Sequence, residues 1–171
     1  MLDATRAKAQ LSAKMKCHVD EIYRLAVFGN HSPTMFPDLE NTIINGQSAY
    51  KLINDHNWVE NVFLPRIQQR GAEIIKARGA SSASSAARAA CDTVKAVEHK
   101  TRSGDVFNAA VLSDGAYGMP EGIFSGFPLI SNGKGSVEIV RDYNLSDFAK
   151  AGLEKTASEL LEERDLVKEL L

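Results

Sequence analysis

The chain has 171 residues, 44% hydrophobic and 25% charged, with 20 Lys and Arg against 22 Asp and Glu for a formal charge of -2. A domain of this length buries roughly 70% of its unfolded surface. The interspersed signs leave no basic stripe for a nucleic acid, and no apolar run is long enough to span a bilayer.

Residues 3 to about 16 are rich in Ala, Lys, Gln and Leu, and Ala7, Leu11 and Met15 recur on one face, which predicts a helix with a buried stripe. Residues 23–29 carry the apolar run Leu25-Ala26-Val27-Phe28 up to Gly29 and predict one buried strand. His31 follows in a loop, between Asn30 and Pro33, which both disfavour regular structure. Residues 42–48 predict a hairpin turning at Asn45-Gly46. Pro65 suits the first position of a helix to about Arg78, with Ile67, Ile74 and Ile75 on one side and Gly79 ending it. Another helix begins near Ser81 or Ser82, through Ala and Ser residues small enough for close backbone approach. Residues 106–113, 122–131 and 136–140 predict a strand meander with a turn at Asn132-Gly133. Asn144 or Ser146 caps a last helix to about Leu171. Its Leu153, Ala157, Leu160 and Leu161 face inward, and Glu159, Glu162, Glu163 and Arg164 face water. The whole is an α+β fold, an antiparallel sheet with long packed helices, forming one domain over residues 1–171.

Three side chains stand out chemically. His31 is of the type tuned to act as a base near neutral pH. A carboxylate on its other ring nitrogen fixes the tautomer, and Asp3 is the candidate. Arg6 has the planar fork that grips a substrate carboxylate, and its spacing from Asp3 puts both on one face of the first helical turn. The set suits oxidation of a hydroxyl beside a carboxylate, in which proton and hydride leave together. Taken singly, Asp3 reads as a helix cap, Arg6 as a solvated helical residue and His31 as a surface histidine. His18, His56 and His99 read as ordinary. No H-x-x-H, H-E-x-x-H or C-x-x-C pattern occurs, so no metal site is expected. Cys17 and Cys91 fall on helical segments far apart, which predicts buried free thiols and a reducing compartment. Asn132-Gly133-Lys134-Gly135-Ser136 resembles a phosphate loop superficially but reads as a hairpin turn, and no G-x-G-x-x-G occurs.

The segments Leu2-Asp3-Ala4-Thr5-Arg6-Ala7-Lys8-Ala9-Gln10, Gly29-Asn30-His31-Ser32, Phe36-Pro37-Asp38, residues 68–78 and Ser84-Ser85-Ala86-Ala87 resemble NAD-dependent malate dehydrogenase of the cytosolic type, in the lactate/malate dehydrogenase superfamily. The resemblance runs through the whole chain but covers only the C-terminal half of such an enzyme, with the Rossmann domain absent from this chain. It implies His31 as proton acceptor, Asp3 as its orienting carboxylate and Arg6 as clamp on the substrate carboxylate. Ser85, with His31, would lie near both nicotinamide and substrate. It further implies NAD as cofactor, malate and oxaloacetate as substrates and an N-terminal NAD-binding half as partner. A cytoplasmic tricarboxylic acid cycle enzyme, assembled as a dimer or other homo-oligomer, is the setting it suggests. The second malate carboxylate would be read by arginines on a loop of the other half, so the choice of substrate is out of view in this chain. This polypeptide alone, which offers a base and a clamp but no hydride donor site, is expected to show little or no activity. The alternatives are half of a lactate or other 2-hydroxy acid dehydrogenase, or a non-catalytic association module of the same fold.

Overall fold

Good helix formers carry α1 (Leu2–Met15) to a left-handed Lys16, with Ala4, Ala7 and Leu11 inside the core as the stripe requires. The computed structural model describes residues 1–170. The next segment is not the single strand expected. It divides into β1 (Ile22–Tyr23) and β2 (Ala26–Phe28) at Arg24, whose φ of 56° turns the chain out of the pleat. Tertiary contacts stabilise that break: Arg24 donates to Asp142 at 2.8 Å and its guanidinium lies 4.9 Å over the Tyr143 ring.

The two halves then find different partners. β1 pairs with β4 (Ile43–Ile44), which turns through Asn45-Gly46 into β5 (Gln47–Ser48). Both turn residues have positive φ, as a tight two-residue hairpin demands. β2 pairs with β3 (Phe36–Asp38), a strand the sequence reading did not include. A short α2 (Ala49–Ile53) ends at left-handed Asn54, after which α3 (His56–Trp58), a π-helical turn (Val59–Phe63) and α4 (Leu64–Arg78) follow without a break. Pro65 is thus the second residue of α4, at its start as expected, but α4 runs on directly from the π-helical turn. Proline removes an N–H and crowds the preceding turn, and the backbone is widened just ahead of it. Gly79, at φ 71°, ends α4, and Ile75 on its last turn is 50% exposed instead of joining Ile67 in the core.

After α5 (Ala83–Glu98) come β6 (Phe107–Leu112), β7 (Phe124–Ser131) and β8 (Val137–Ile139), the expected meander. The β7–β8 connection spans residues 132–136, longer than a turn at Asn132-Gly133 alone. Ser146 caps α6 (Asp147–Val167) by accepting from the Ala149 N–H at 3.2 Å. Leu171, the expected end of this helix, lies outside the described residues. Every strand pair among the described residues is antiparallel, but they form three small sheets rather than one. No helix among them is long and apolar enough to cross a membrane.

Two apolar clusters fill the interior, and β2 lies between them. Val27 points into a cluster with Leu11, Ile44, Phe63 and Ile67, while Ala26 and Phe28 point into one with Phe107, Phe127, Leu129 and Leu153. Asn108 on β6 closes the free edge of β2: its Oδ1 accepts from the Val27 N–H at 2.7 Å and its Nδ2 donates to the Leu25 carbonyl at 2.8 Å. The chain leaving β2 thus starts from a strand held on every side.

At the end of β3, burial pushes the Asp38 carboxyl up to about 6, against hydrogen bonds from Asn41 Nδ2 and the Glu40 N–H. The folded state then holds this proton more tightly than the unfolded chain. Asp38 should therefore lower the unfolding free energy by about 2–3 kcal/mol as pH rises from about 4 to about 6, with no further change above. In Asp38→Asn that component disappears. Denaturant unfolding on both sides of the window, with wild type and variant compared, measures it, and parallel pH curves would refute it.

Candidate active site

Asp3 occupies the first turn of α1, where the helix dipole favours a negative charge. Its two oxygens serve two partners. Oδ2 lies 2.7 Å from His31 Nδ1, and Oδ1 accepts from Arg6 Nη1 at 3.3 Å. The Asp3 and Arg6 side chains are only 15% and 16% exposed, whereas His31 is 69% exposed. A carboxylate can only accept, so the neutral imidazole carries its proton on Nδ1 and leaves the Nε2 lone pair free. The three candidates are joined, through Asp3.

The loop that presents His31 is seated on α6. A Cβ built on Gly29, whose φ is 93°, would lie 2.3 Å from Thr156 Cγ2, so only glycine lets the backbone come this close. Gly29 also forms a two-way backbone pair with Gly126 of β7, donating at 3.1 Å and accepting at 2.8 Å. The Asn30 N–H then donates to Thr156 Oγ1 at 2.8 Å. Glu159 Oε2 receives the Ser32 hydroxyl, the Thr34 hydroxyl at 2.5 Å and Asn30 Nδ2 at 3.2 Å, and Glu163 takes a second Asn30 proton at 2.8 Å. Burial works against the charge of Glu159, but these donors outweigh it and hold its carboxyl below the ordinary glutamate range.

Magnitudes decide what orders this loop. Fixing the backbone of residues 30–34 costs about 1–2 kcal/mol each, whereas a hydrogen bond to a charged group returns about 1.5–3 kcal/mol. The Asp3–His31 bond alone cannot balance that cost. The bonds to Thr156, Glu159 and Glu163 together can.

The expectation that Glu159 faces water is therefore corrected, whereas Glu163 is exposed as expected and still takes an Asn30 proton. Thr156, Glu159 and Glu163 follow one another at helical spacings of three and four, continuing the row that starts at buried Leu153. That row was the available signal, and the residue types concealed it. Arg6 and Ser85 line one cleft of about 290 Å³ with Thr5, Ile67 and Ser82. His31 and Asp3 line a neighbouring cleft of about 280 Å³ with Val27, Asn108 and Gly126, and Leu2 borders both. Ser85 thus stands on the Arg6 side, its hydroxyl donating to the Ser82 carbonyl at 2.9 Å. The other histidines have local partners of their own: His18 caps a turn with Glu21, His99 contacts the Lys95 carbonyl, and His56 lies between Tyr50 and Glu60. The cysteines are free, but the burial expected of them is not found. Cys91 is exposed on α5, and Cys17 is half-buried just beyond α1.

An α+β domain whose imidazole, carboxylate and guanidinium meet beside two clefts is matched at the level of family. The chain belongs to the family described as lactate/malate dehydrogenase, alpha/beta C-terminal domain, whose sequence model matches residues 1–171. It is 46% identical to malate dehydrogenase of Cutibacterium acnes over 99% of this chain and 51% of that protein. The crystal structure of malate dehydrogenase from Naegleria fowleri superposes with a TM-score of 0.92 at 40% identity, over 99% of this chain and 52% of that one. Lactate dehydrogenase of Trichomonas vaginalis, in complex with NADH and oxamate, gives a TM-score of 0.92 at 27% identity, over 99% and 53%. The chain spans about half the length of the curated relatives it matches.

Gly29→Ala should force the loop off α6. A loss of about 2–4 kcal/mol in unfolding free energy is expected from the positive φ and the clash combined. Denaturant unfolding reads it, and an unshifted midpoint would show that the seat is looser than described.

Proposed function

We propose that this chain is the substrate-binding and catalytic domain of a malate dehydrogenase, working in the reversible NAD-dependent oxidation of malate to oxaloacetate. The observation that carries the reading is the single Asp3 carboxylate shared between His31 Nδ1 and Arg6 Nη1. It supplies a base of defined tautomer and, beside it, a fork for an anionic substrate.

His31 Nε2 accepts the proton of the substrate hydroxyl. Asp3 stabilises the imidazolium that forms and keeps its Nδ1 proton in place. Arg6 grips the carboxylate next to the reacting carbon through two parallel hydrogen bonds and so sets the angle at which the hydroxyl meets Nε2. Ser85, on the same cleft as Arg6, would border the substrate, and it does not line the cleft beside His31.

The cofactor fit is partial. The cleft beside His31 is lined by Val27, Asn108, Ala109, Ala110 and Gly126, and its volume of about 280 Å³ suits a flat ring of nicotinamide size but not a whole dinucleotide. Val27, His31 and Asn108 would border that ring, and NAD, when bound, supplies the hydride acceptor. The pyrophosphate needs a glycine-rich turn, and the sequence holds no G-x-G-x-x-G. The reading therefore includes a dinucleotide-binding half as partner. Ile75 and Val94, exposed on α4 and α5, support association through those helices. Lactate is the less supported substrate, since the malate dehydrogenases compared are 46% and 40% identical and the lactate enzyme 27%.

The test uses this chain joined to a dinucleotide-binding half and assayed on malate and lactate. Malate should be the better substrate, and His31→Asn should cut kcat about 10²- to 10⁴-fold while NADH fluorescence still reports binding. Full turnover in that variant removes the assignment. Arg6→Lys keeps the charge but loses the fork, so kcat/KM for malate should fall about 10²-fold with NADH affinity unchanged. Equal losses in both quantities would contradict the clamp.

A further inference from the structure

We propose that Glu159, seated with Thr156 on α6, is the positioning residue of the candidate base: it fixes the Asn30–Thr34 backbone so that the His31 ring meets Asp3. The inference rests on the reading of His31 as the base, and it adds to that reading the group that aims it.

His31 is 69% exposed, so packing does not hold its ring. Its chain neighbours are bound instead. On the N-terminal side, the Asn30 N–H goes to Thr156 and its side-chain amide to Glu159 and Glu163. On the C-terminal side, the Ser32 and Thr34 hydroxyls both converge on Glu159 Oε2. The Thr34 N–H also donates to Ser32 Oγ at 3.0 Å, and the Thr34 and Thr156 hydroxyls lie 2.9 Å apart. One carboxylate oxygen thus takes donors from both flanks of His31. It touches neither the imidazole nor either cleft described above, so its effect on chemistry passes through the loop.

The protons have a consistent assignment. Ser32 gives its hydroxyl proton to Glu159, which leaves Ser32 Oγ free to accept the Thr34 N–H, and the Thr34 hydroxyl faces both Glu159 Oε2 and Thr156 Oγ1 as their donor. Only an oxygen that accepts without donating can sit at the hub. A glutamine there retains one accepting oxygen but loses the charge that strengthens each bond. An alanine loses the hub entirely.

The ring tautomer is the readout, because it reports the His31–Asp3 contact directly and a merely structural tie would not move it. In the 15N-labelled 171-residue chain, with His31 identified from His31→Gln, two-bond 1H–15N spectra of the neutral ring should show mainly the Nδ1–H form. Glu159→Ala should shift the ring to the Nε2–H form favoured by free histidine, Glu159→Gln should fall between, and Glu162→Ala on the same helix should change nothing. Thr34→Val, which removes one donor at nearly constant shape, should move in the same direction by less and covers the case in which Glu159→Ala does not fold. In the joined enzyme, Glu159→Gln should lower kcat about 10-fold with KM for malate little changed, as misorientation of a base predicts.

If Glu159→Ala folds and its ring stays Nδ1–H, or Thr34→Val leaves the ratio unmoved, positioning by Glu159 is wrong while His31 as base stands. A wild-type ring already in the Nε2–H form removes the base assignment itself, and with it this inference.

Discussion

A strand needs partners for its backbone on both edges, and β2 has a neighbouring strand on only one. Its other edge faces the interior between two apolar clusters, where an unmade backbone hydrogen bond costs about 1–3 kcal/mol. The side-chain amide of Asn108 fills that place, accepting from Val27 and donating to Leu25, as a passing strand would. Both functions of one amide are used, and an aliphatic side chain of similar size could supply neither. On this bridge depends the alternation of Val27 toward one cluster and Phe28 toward the other. Because β2 is fixed, the loop that follows has a fixed origin.

The site extends this logic outward. Gly29 continues the pairing onto Gly126, Asn30 passes the chain to α6, and the imidazole then reaches α1. Each step joins elements far apart in sequence, so the trio is complete only in the folded domain. The charges are also arranged by sign. Asp3 sits at the positive end of α1 with Arg6 one turn on, and Glu159 is met by the donors of Asn30, Ser32 and Thr34.

What sequence reading could see followed from local periodicity and from residue types. The stripe of α1, the Asn45-Gly46 hairpin, the Gly79 stop, the Ser146 cap and the β6–β8 meander each depend on a few neighbouring residues, and each is found. The trio was legible because an imidazole, a carboxylate and a guanidinium have few uses in common. What escaped depends on distant partners. Arg24 adopts positive φ because Asp142 and Tyr143 hold it, more than a hundred residues along. Glu159 reads as a solvated residue until Asn30, Ser32 and Thr34 are folded against it, and Asn108 reads as an odd polar residue in a strand until β2 lies beside it.

The imidazole is slung between two helices, its ring tied to Asp3 on α1 and its chain neighbours to Thr156 and Glu159 on α6. Hydrogen bonds weaken steeply over a few tenths of an ångström and a few tens of degrees. The ring therefore acts as a gauge of the gap between α1 and α6. A displacement of one helix against the other would change the aim of Nε2 without anything touching the ring.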